Sequence, residues 1–147
     1  MEERIGFIGI VIEDMAQANR VNQVVGQYQE IVTGRIGVPE GGISCLASTV
    51  VKRDEIGLLT IADVYGIPIH FFENEALAAV IKSYGLRESE FVKKTIGIGN
   101  VAESAALAEA GQRGRIALGK TKYEKVTVAL VWQISQSSVS DRAIWKT

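Results

Sequence analysis

The chain has 147 residues and a net charge of −1, from 16 basic and 17 acidic side chains. This length suits one domain with a real core, and 47% hydrophobic with 22% charged residues is typical of a soluble globular protein. The near-zero charge argues against a nucleic-acid or membrane-surface partner. One cysteine excludes an internal disulfide. No signal peptide or membrane-spanning run is recognisable, so we expect a cytoplasmic location.

The first half of the chain predicts six elements. Residues 4–12 (RIGFIGIVI) predict a buried strand, and the apolar spacing that follows Asp14 predicts a helix. Residues 30–38 and 43–51 predict two strands, joined by the turn signal PEGG into an antiparallel hairpin. A helix after Asp54 that ends at Gly66 and a strand over 67–72, with Pro68 suited to a sheet edge, complete the series. This order is typical of ferredoxin-like folds.

The second half predicts helices followed by two strands. A helix starts at Asn74, a charged helical turn covers 87–94, and strands cover 115–119 and 126–132. The whole chain predicts an α/β fold, with a single mixed β-sheet and helices on both faces in three layers. The expected domain spans 1–133, with its N-terminal part ferredoxin-like as one alternative. Residues 134–147 form a polar tail without a core pattern, which predicts disorder.

The most informative stretch is KTIGIGNVAESAALAEAG, residues 94–111. Gly97 and Gly99 allow unusual backbone angles and close approach of a ligand. Asn100 is a good N-cap, Glu103 can complete a capping box, and Gly111 can end the helix. A helix start of this kind is a ready anion site, although the residues alone favour ordinary capping.

Other candidate ligand contacts lie where strands end. Lys52 follows a strand, and Lys120, Thr121 and Lys122 end another in the most basic stretch of the chain. Thr95, just before the glycine turn, can bind a ligand oxygen or cap the turn. For each lysine the alternative is an ordinary solvated surface residue.

The residues do not identify catalytic groups. His70 is the only histidine and Cys45 the only cysteine, so a metal site built from a cluster of histidines cannot form. Both are interpreted as structural residues. The glycine patterns match neither a dinucleotide fingerprint nor a phosphate-binding loop. We therefore expect no metal and no cofactor.

Residues 46–131 resemble the C-terminal domain of cobalt-precorrin 5A hydrolase of cobalamin biosynthesis, and the related small protein of the aerobic pathway. The motifs that carry the resemblance are LASTVVKRDEIGLLTIADVYGIPIHFF, FVKKT, GIGNVAESAALAEAG and GRIALGKTKYEKVTVALV. That family opens a δ-lactone on a corrin macrocycle and releases a two-carbon aldehyde. The family's first glycine turn is replaced here by GIVIEDMAQ. The resemblance therefore implies binding of an anionic corrinoid intermediate more readily than its turnover.

Residues 3–60 resemble a second family, the small regulators of the iron-only hydrogenase system, which have ACT-like folds. The matching segments are ERIGFIGIVIED, VNQVV, IVTGRIGVPEGGIS and DEIGLLT. This resemblance implies a regulatory module that binds a small ligand, with a homodimer formed through sheet edges. The two resemblances overlap in sequence. A further hypothesis is therefore a recombined or engineered chimera without activity. The alternative to a chimera is a divergent member of the cobalamin family.

Overall fold

A computed structural model describes residues 2–12, 21–32, 42–122 and 125–136 of the chain. Five β-strands form one sheet. Their bounds are β1 Glu2–Ile12, β2 Ile43–Thr49, β3 Ile69–Phe72, β4 Arg115–Lys122 and β5 Val126–Gln136. Five α-helices accompany the sheet, and a short 3-10 turn over Val50–Lys52 follows β2. The helices are α1 Val21–Ile31, α2 Ile56–Tyr65, α3 Asn74–Tyr84, α4 Glu90–Ile96 and α5 Ala102–Ala110.

The sheet is mixed, with strand order β3-β2-β1-β5-β4. Strand β1 pairs in parallel with β2, which pairs in parallel with β3, whereas β5 is antiparallel to both β1 and β4. Strands β1 to β4 therefore all point the same way. Their carboxyl ends share one edge of the sheet with the start of β5, and ligands gather at this kind of edge in α/β proteins.

Helices cover both faces, which confirms the predicted single mixed sheet in three layers. Helices α1 and α2 pack large aliphatic side chains and Tyr28 against one face, where Ile8, Ile10 and Leu46 are fully buried. Helices α3, α4 and α5 cover the other face, where the contacts are made by Leu77, Ile81 and a series of small residues.

On the second face, α5 lies unusually close to the central strand. A Cβ atom built on Gly9 of β1 would overlap the carbonyl oxygen of Ala102 and lie 2.9 Å from the nitrogen of Ala106. Only glycine permits this approach. Farther along, a Cβ on Gly114 would lie 2.8 Å from both Ala110 Cβ and Val131 Cγ1. These glycines and the alanines of α5 let the helix settle directly on the sheet.

The predicted antiparallel hairpin is wrong. Residues Glu30 and Ile31 belong to α1, and β2 already has parallel neighbours on both sides, β1 and β3. Ile31 is fully buried against the sheet, so packing overrides the strand propensity of its branched side chain. The parallel arrangement also excludes the ferredoxin-like alternative. Residues 33–41, with the PEGG turn, and the proposed cap Asp14 lie outside the described residues.

Several predicted element ends also change. Strand β5 continues through Gln136, where it pairs with Glu2 of β1, so the first residues of the predicted tail are part of the sheet. Thr121 and Lys122 lie within β4. Residues 137–147 lie outside the described residues. Pro68 precedes the edge strand β3, as its missing N–H predicts.

Candidate functional site

The start of α5 is held in place by the side chain of Asn100, which is 1% exposed. Its Oδ1 accepts a hydrogen bond from the Glu103 nitrogen at 3.1 Å, as an N-cap does. Its Nδ2 donates to the Arg87 carbonyl at 2.9 Å and to Glu103 Oε1 at 2.8 Å. Asn100 therefore caps the helix as predicted, and the Glu103 carboxylate bonds to the Asn100 side chain. Because both N–H groups are used, Asn100 positions the loop.

The loop before α5 is tied to neighbouring elements by backbone and side-chain bonds. Gly99 N donates to Glu88 Oε1 at 3.1 Å, and Ser89 N donates to the Gly99 carbonyl at 2.8 Å. A Cβ on Gly99 would lie 2.5 Å from Glu88 Cβ, so glycine is required for this contact. Gly97 has φ of +105°, which favours glycine for a different reason.

A second set of bonds joins the end of β2 to α3 and α4. The hydroxyl of Thr49 donates to Asn74 Oδ1 at 2.6 Å, and Asn74 Nδ2 donates to the carbonyl of Ile96 at 2.9 Å. Asn74 was predicted to cap α3, but the cap is Glu73 and the Asn74 side chain serves this bridge instead. Together the two networks fix α4 beside the carboxyl edge of the sheet.

These elements enclose a cleft of about 800 Å³, within the usual size of a small-molecule site. It lies at the carboxyl edge, between the strand ends, the turn after β2, α4 and the start of α5. The apolar lining residues are Val11, Ile12, Val51, Phe91, Val92, Ile96, Val101 and Ala102. The polar and glycine residues are Ser89, Thr95, Gly99, Asn100 and Thr127, and the charged ones are Lys52, Lys120 and Lys122.

The cleft is more positive than the protein as a whole. Its lining contains three lysines and, among the described residues, no carboxylate, which gives +3 for the lining against −1 for the chain. The positive end of the α5 dipole adds to this field. The cleft therefore combines apolar walls with cations, as a site for an amphipathic anion requires.

Lys120 is oriented by an irregularity in β4. The pairing of β4 with β5 shifts register between Leu118 and Thr121, which places an extra residue in β4. The Lys120 N–H donates to Glu103 Oε2 at 2.8 Å, and the Thr121 hydroxyl donates to the Gly119 carbonyl at 3.0 Å. A Cβ on Gly119 would lie 3.1 Å from Glu103 Oε2. This irregularity couples β4 to the start of α5.

Six of the eight residues proposed from the sequence line this one cleft. They are Lys52, Thr95, Gly99, Asn100, Lys120 and Lys122. Gly97 lines a smaller depression beside α3. Thr121 does not line the cleft, and its hydroxyl bonds within β4. Thr95 donates to the carbonyls of Phe91 and Val92 at 3.1 and 3.2 Å, so its single hydroxyl proton is already used.

Sequence reasoning missed the apolar wall of the cleft. Phe91 is 67% exposed, although a large aromatic side chain is normally buried, and Val51 is 52% exposed. The signal was present in the segment EFVKKTI, where an aromatic residue stands in a short helix beside three charged residues. Its meaning depends on where α4 lies, and that position is set by the tertiary hydrogen bonds described above.

Two groups with raised pKa values, the buried Tyr28 and the half-buried Cys45, lie elsewhere. Burial, and next the charge of Tyr65, raises the pKa of Tyr28 above its ordinary value. Burial, and next the charge of Glu109, raises the pKa of the Cys45 thiol to about 12. Nearby, His70 Nδ1 lies 2.7 Å from Glu109 Oε1. A thiol with so high a pKa is a poor nucleophile, which agrees with a structural role for Cys45.

No group of three or more His, Cys, Asp or Glu side chains among the described residues is arranged to hold a metal ion. Among the described helices, none has both the length and the apolar character needed to cross a membrane.

The fold and the cleft define an α/β protein with a cationic cleft at the carboxyl edge of its sheet. The profile of the family called cobalamin synthesis G C-terminus matches residues 7–131. The chain therefore belongs to this family. The match begins far before residue 46, where the resemblance to the cobalamin proteins was expected to start.

Solved structures support the same assignment. CobE, a protein from the cobalamin (vitamin B12) biosynthetic pathway, is 26% identical with a TM-score of 0.72, over 90% of this chain and 94% of that chain. The cobalamin biosynthesis protein chiG from Agrobacterium tumefaciens str. C58 is 24% identical with a TM-score of 0.57, over 86% of this chain and 96% of that chain, and shows the fold alone. No curated protein sequence gives a significant match.

The second resemblance receives no support from these comparisons. The family profile match over residues 7–131 includes most of the segment that resembles the regulators, residues 3–60. The parallel pairing of β1 with β2 also differs from the ferredoxin-like arrangement predicted for the N-terminal part. The chain is thus a member of the cobalamin family whose N-terminal segment differs from the pattern expected there.

Proposed function

We propose that the cleft binds an anionic corrinoid intermediate of cobalamin biosynthesis. Membership in the cobalamin synthesis G C-terminus family and the likeness to CobE support the pathway. The observation that carries the site is the convergence of Lys52, Lys120 and Lys122 with apolar walls in one cleft. Corrin intermediates carry acetate and propionate groups around a largely apolar ring, and this chemistry matches the lining.

Each part of the lining has a function in this proposal. The lysines form charge-assisted hydrogen bonds with the carboxylates of the ligand. The start of α5 contributes the positive end of its helix dipole, which suits a carboxylate or lactone oxygen. Phe91 and Val51 are exposed to solvent, and in this proposal they contact the apolar part of the ring.

The proposed role is binding without hydrolysis. If a lactone reacted here, the lysines and helix N–H groups would stabilise the oxyanion formed when water attacks the carbonyl. The water must also lose a proton to a base, and the described lining residues include neither a carboxylate nor an imidazole. We therefore assign to these residues the holding of the intermediate.

A visible-absorbance titration with a cobalt-corrin lactone intermediate tests the proposal. We expect a saturable spectral shift with one ligand per chain, and an affinity at least about tenfold lower in Lys120→Ala/Lys122→Ala, the equivalent of about 1.4 kcal/mol. Lys82→Ala/Lys93→Ala is the matched control, because it removes the same charge outside the cleft. A well-folded protein without any spectral shift would contradict the proposal.

The same samples separate binding from turnover. Aldehyde release should remain at the rate of the free lactone in buffer, even when the ligand is fully bound. Release that depends on enzyme concentration, with many turnovers per chain, would contradict the binding-only assignment and leave the location of the site intact.

A further inference from the structure

The cations of the cleft stand on two opposite sides of it. Lys52 ends the turn that follows β2, whereas Lys120 and Lys122 belong to β4. In the sheet order, β1 and β5 lie between β2 and β4, so three strand spacings separate the two groups. At 4.7–4.9 Å per spacing, the backbones are roughly 14 Å apart. A ligand that fills the cleft between the two groups can therefore meet a lysine at each side.

The space between the two sides is largely apolar, with Thr127 of β5 as a polar residue there. Val11 and Ile12 of β1 and Ala102 of α5 line it, and Phe91 of α4 stands at the wall. Phe91 is the most exposed large apolar residue among those described. An aromatic ring in this position favours a flat, polarisable ligand that can lie against it.

On the β4 side, the backbone of Lys120 is tied to the start of α5. The carboxylate of Glu103 accepts two hydrogen bonds here. Its Oε2 accepts from the Lys120 backbone N–H, and its Oε1 accepts from Asn100 Nδ2. Its carboxylate is thus engaged in building the site. On the other side, Lys52 ends a short turn whose backbone is capped by the Thr49 hydroxyl, which accepts from Val51 N at 3.2 Å.

From this arrangement we infer that the cleft selects a flat polycarboxylate anchored on two opposite sides. Lys52 binds the carboxylates at one side, Lys120 and Lys122 bind those at the other, and Phe91 contacts the face of the ring. The inference rests on the proposed location of the site and specifies the ligand geometry that the site recognises. A ring with all its carboxylates on one edge reaches only one of the two anchors.

Two porphyrins test this geometry by fluorescence titration. Uroporphyrin carries carboxylates on every side of the ring, and mesoporphyrin carries both of its propionates on one edge. We expect Lys52→Gln and Lys120→Gln/Lys122→Gln each to lower uroporphyrin affinity about tenfold, with effects that multiply in the triple variant. Mesoporphyrin affinity should fall in only one of these two variants, Lys52→Gln or Lys120→Gln/Lys122→Gln. Lys82→Gln/Lys93→Gln is the control for total charge.

Phe91 gives an independent readout of the ring contact. Phe91→Ala should weaken the binding of both porphyrins by a similar factor, because both present the same ring face. Tyr84→Ala is the control, since Tyr84 is also an exposed aromatic residue but does not line the cleft. Equal effects of the two changes would remove Phe91 from the inference.

The outcomes separate this inference from the proposed function. Unchanged uroporphyrin affinity in Lys52→Gln, or no uroporphyrin binding at all, overturns two-sided anchoring, whereas the cobalt-corrin titration still decides the proposed function. Two-sided uroporphyrin binding without any response to the cobalt corrin supports the geometry and rejects the corrinoid assignment.

Discussion

The two faces of the sheet are packed in opposite ways. On the face covered by α1 and α2, large side chains such as Tyr28, Leu58 and Ile61 fill the space between helix and strand. On the face covered by α5, backbone meets backbone, because Gly9 has no side chain and α5 presents alanines. The first face resembles an ordinary hydrophobic core, and the second is a close contact that tolerates no added atom.

The difference explains where the cleft forms. Because α5 settles directly on β1, its first turn reaches the strand ends, and Asn100 and Ala102 become part of the cleft floor. The face covered by α1 and α2 contributes mainly stability, whereas the face covered by α5 also sets the geometry of the site. Changes on the two faces should therefore differ in their effects on stability and on ligand binding.

The largest expected effect is that of Gly9→Ala. The new methyl group would overlap the Ala102 carbonyl, so α5 must move away from the sheet. We expect a loss of about 4 kcal/mol or more in the free energy of unfolding, or failure to fold. Gly26→Ala in α1 is the matched control, because nothing lies within 4 Å of its added Cβ. It should stabilise the protein by about 0.5–1 kcal/mol. A similar small effect at both glycines in urea unfolding would disprove the close contact.

The opposite face should respond to the removal of atoms. Leu58 is fully buried in the cluster formed with α1 and the sheet. Leu58→Ala should lower the free energy of unfolding by about 2–5 kcal/mol through lost burial and a cavity. Unlike a shift of α5, this change should leave the ligand affinity of the folded protein unaltered. Leu59→Ala, at an exposed position of the same helix, is the control, and a comparable loss there would contradict the assigned packing.

Asn100→Ala should act on stability and on the site together. It removes the cap of α5 and leaves the Arg87 carbonyl without its donor. We expect a loss of about 2 kcal/mol in unfolding free energy, accompanied by weaker ligand binding in the folded fraction. The exposed Ser83→Ala serves as reference. Unchanged ligand affinity in Asn100→Ala would show that the cleft does not depend on this loop.

The smallest effect concerns Cys45, which faces α5 at a distance from the cleft. Since its thiol has a pKa of about 12, iodoacetamide should label the native protein far more slowly at pH 8 than the urea-unfolded chain. The labelling rate should rise with pH. The unfolding free energy should also fall as pH rises from about 9 toward 12, because the unfolded chain then holds fewer protons than the native one. Equally fast labelling in both states at pH 8 would contradict this environment.

Local pattern was enough to predict most elements after residue 54, and their places in the structure have plain reasons. Gly66 and Gly85 end their helices in the left-handed conformation, as C-caps do. The segment around Ile31 was assigned incorrectly because its branched residues favour a strand, while burial against the sheet keeps it helical. Parallel or antiparallel pairing depends on contacts between distant strands, and the local sequence around β2 does not contain that information.

The candidate site was predictable where general rules apply. Lys52 was proposed because it follows a strand, and Gly99 and Asn100 were proposed because they begin a helix. In the structure all three line the same cleft. Gly97 was proposed as a ligand contact but does not line the cleft, because it ends α4 with a positive φ. Phe91 was missed because only the packing of α4 against the cleft gives its side chain a function.

Amide hydrogen exchange with and without the cobalt-corrin lactone intermediate tests the central claim most directly. We predict slower exchange on binding in residues 89–102 and 120–122 and around Lys52, which together surround the cleft. Strand β3 and the end of α5, near His70 and Glu109, should exchange at unchanged rates. Protection confined to that second region, or no protection at ligand concentrations that saturate the spectral change, would contradict the assignment of the cleft as the binding site.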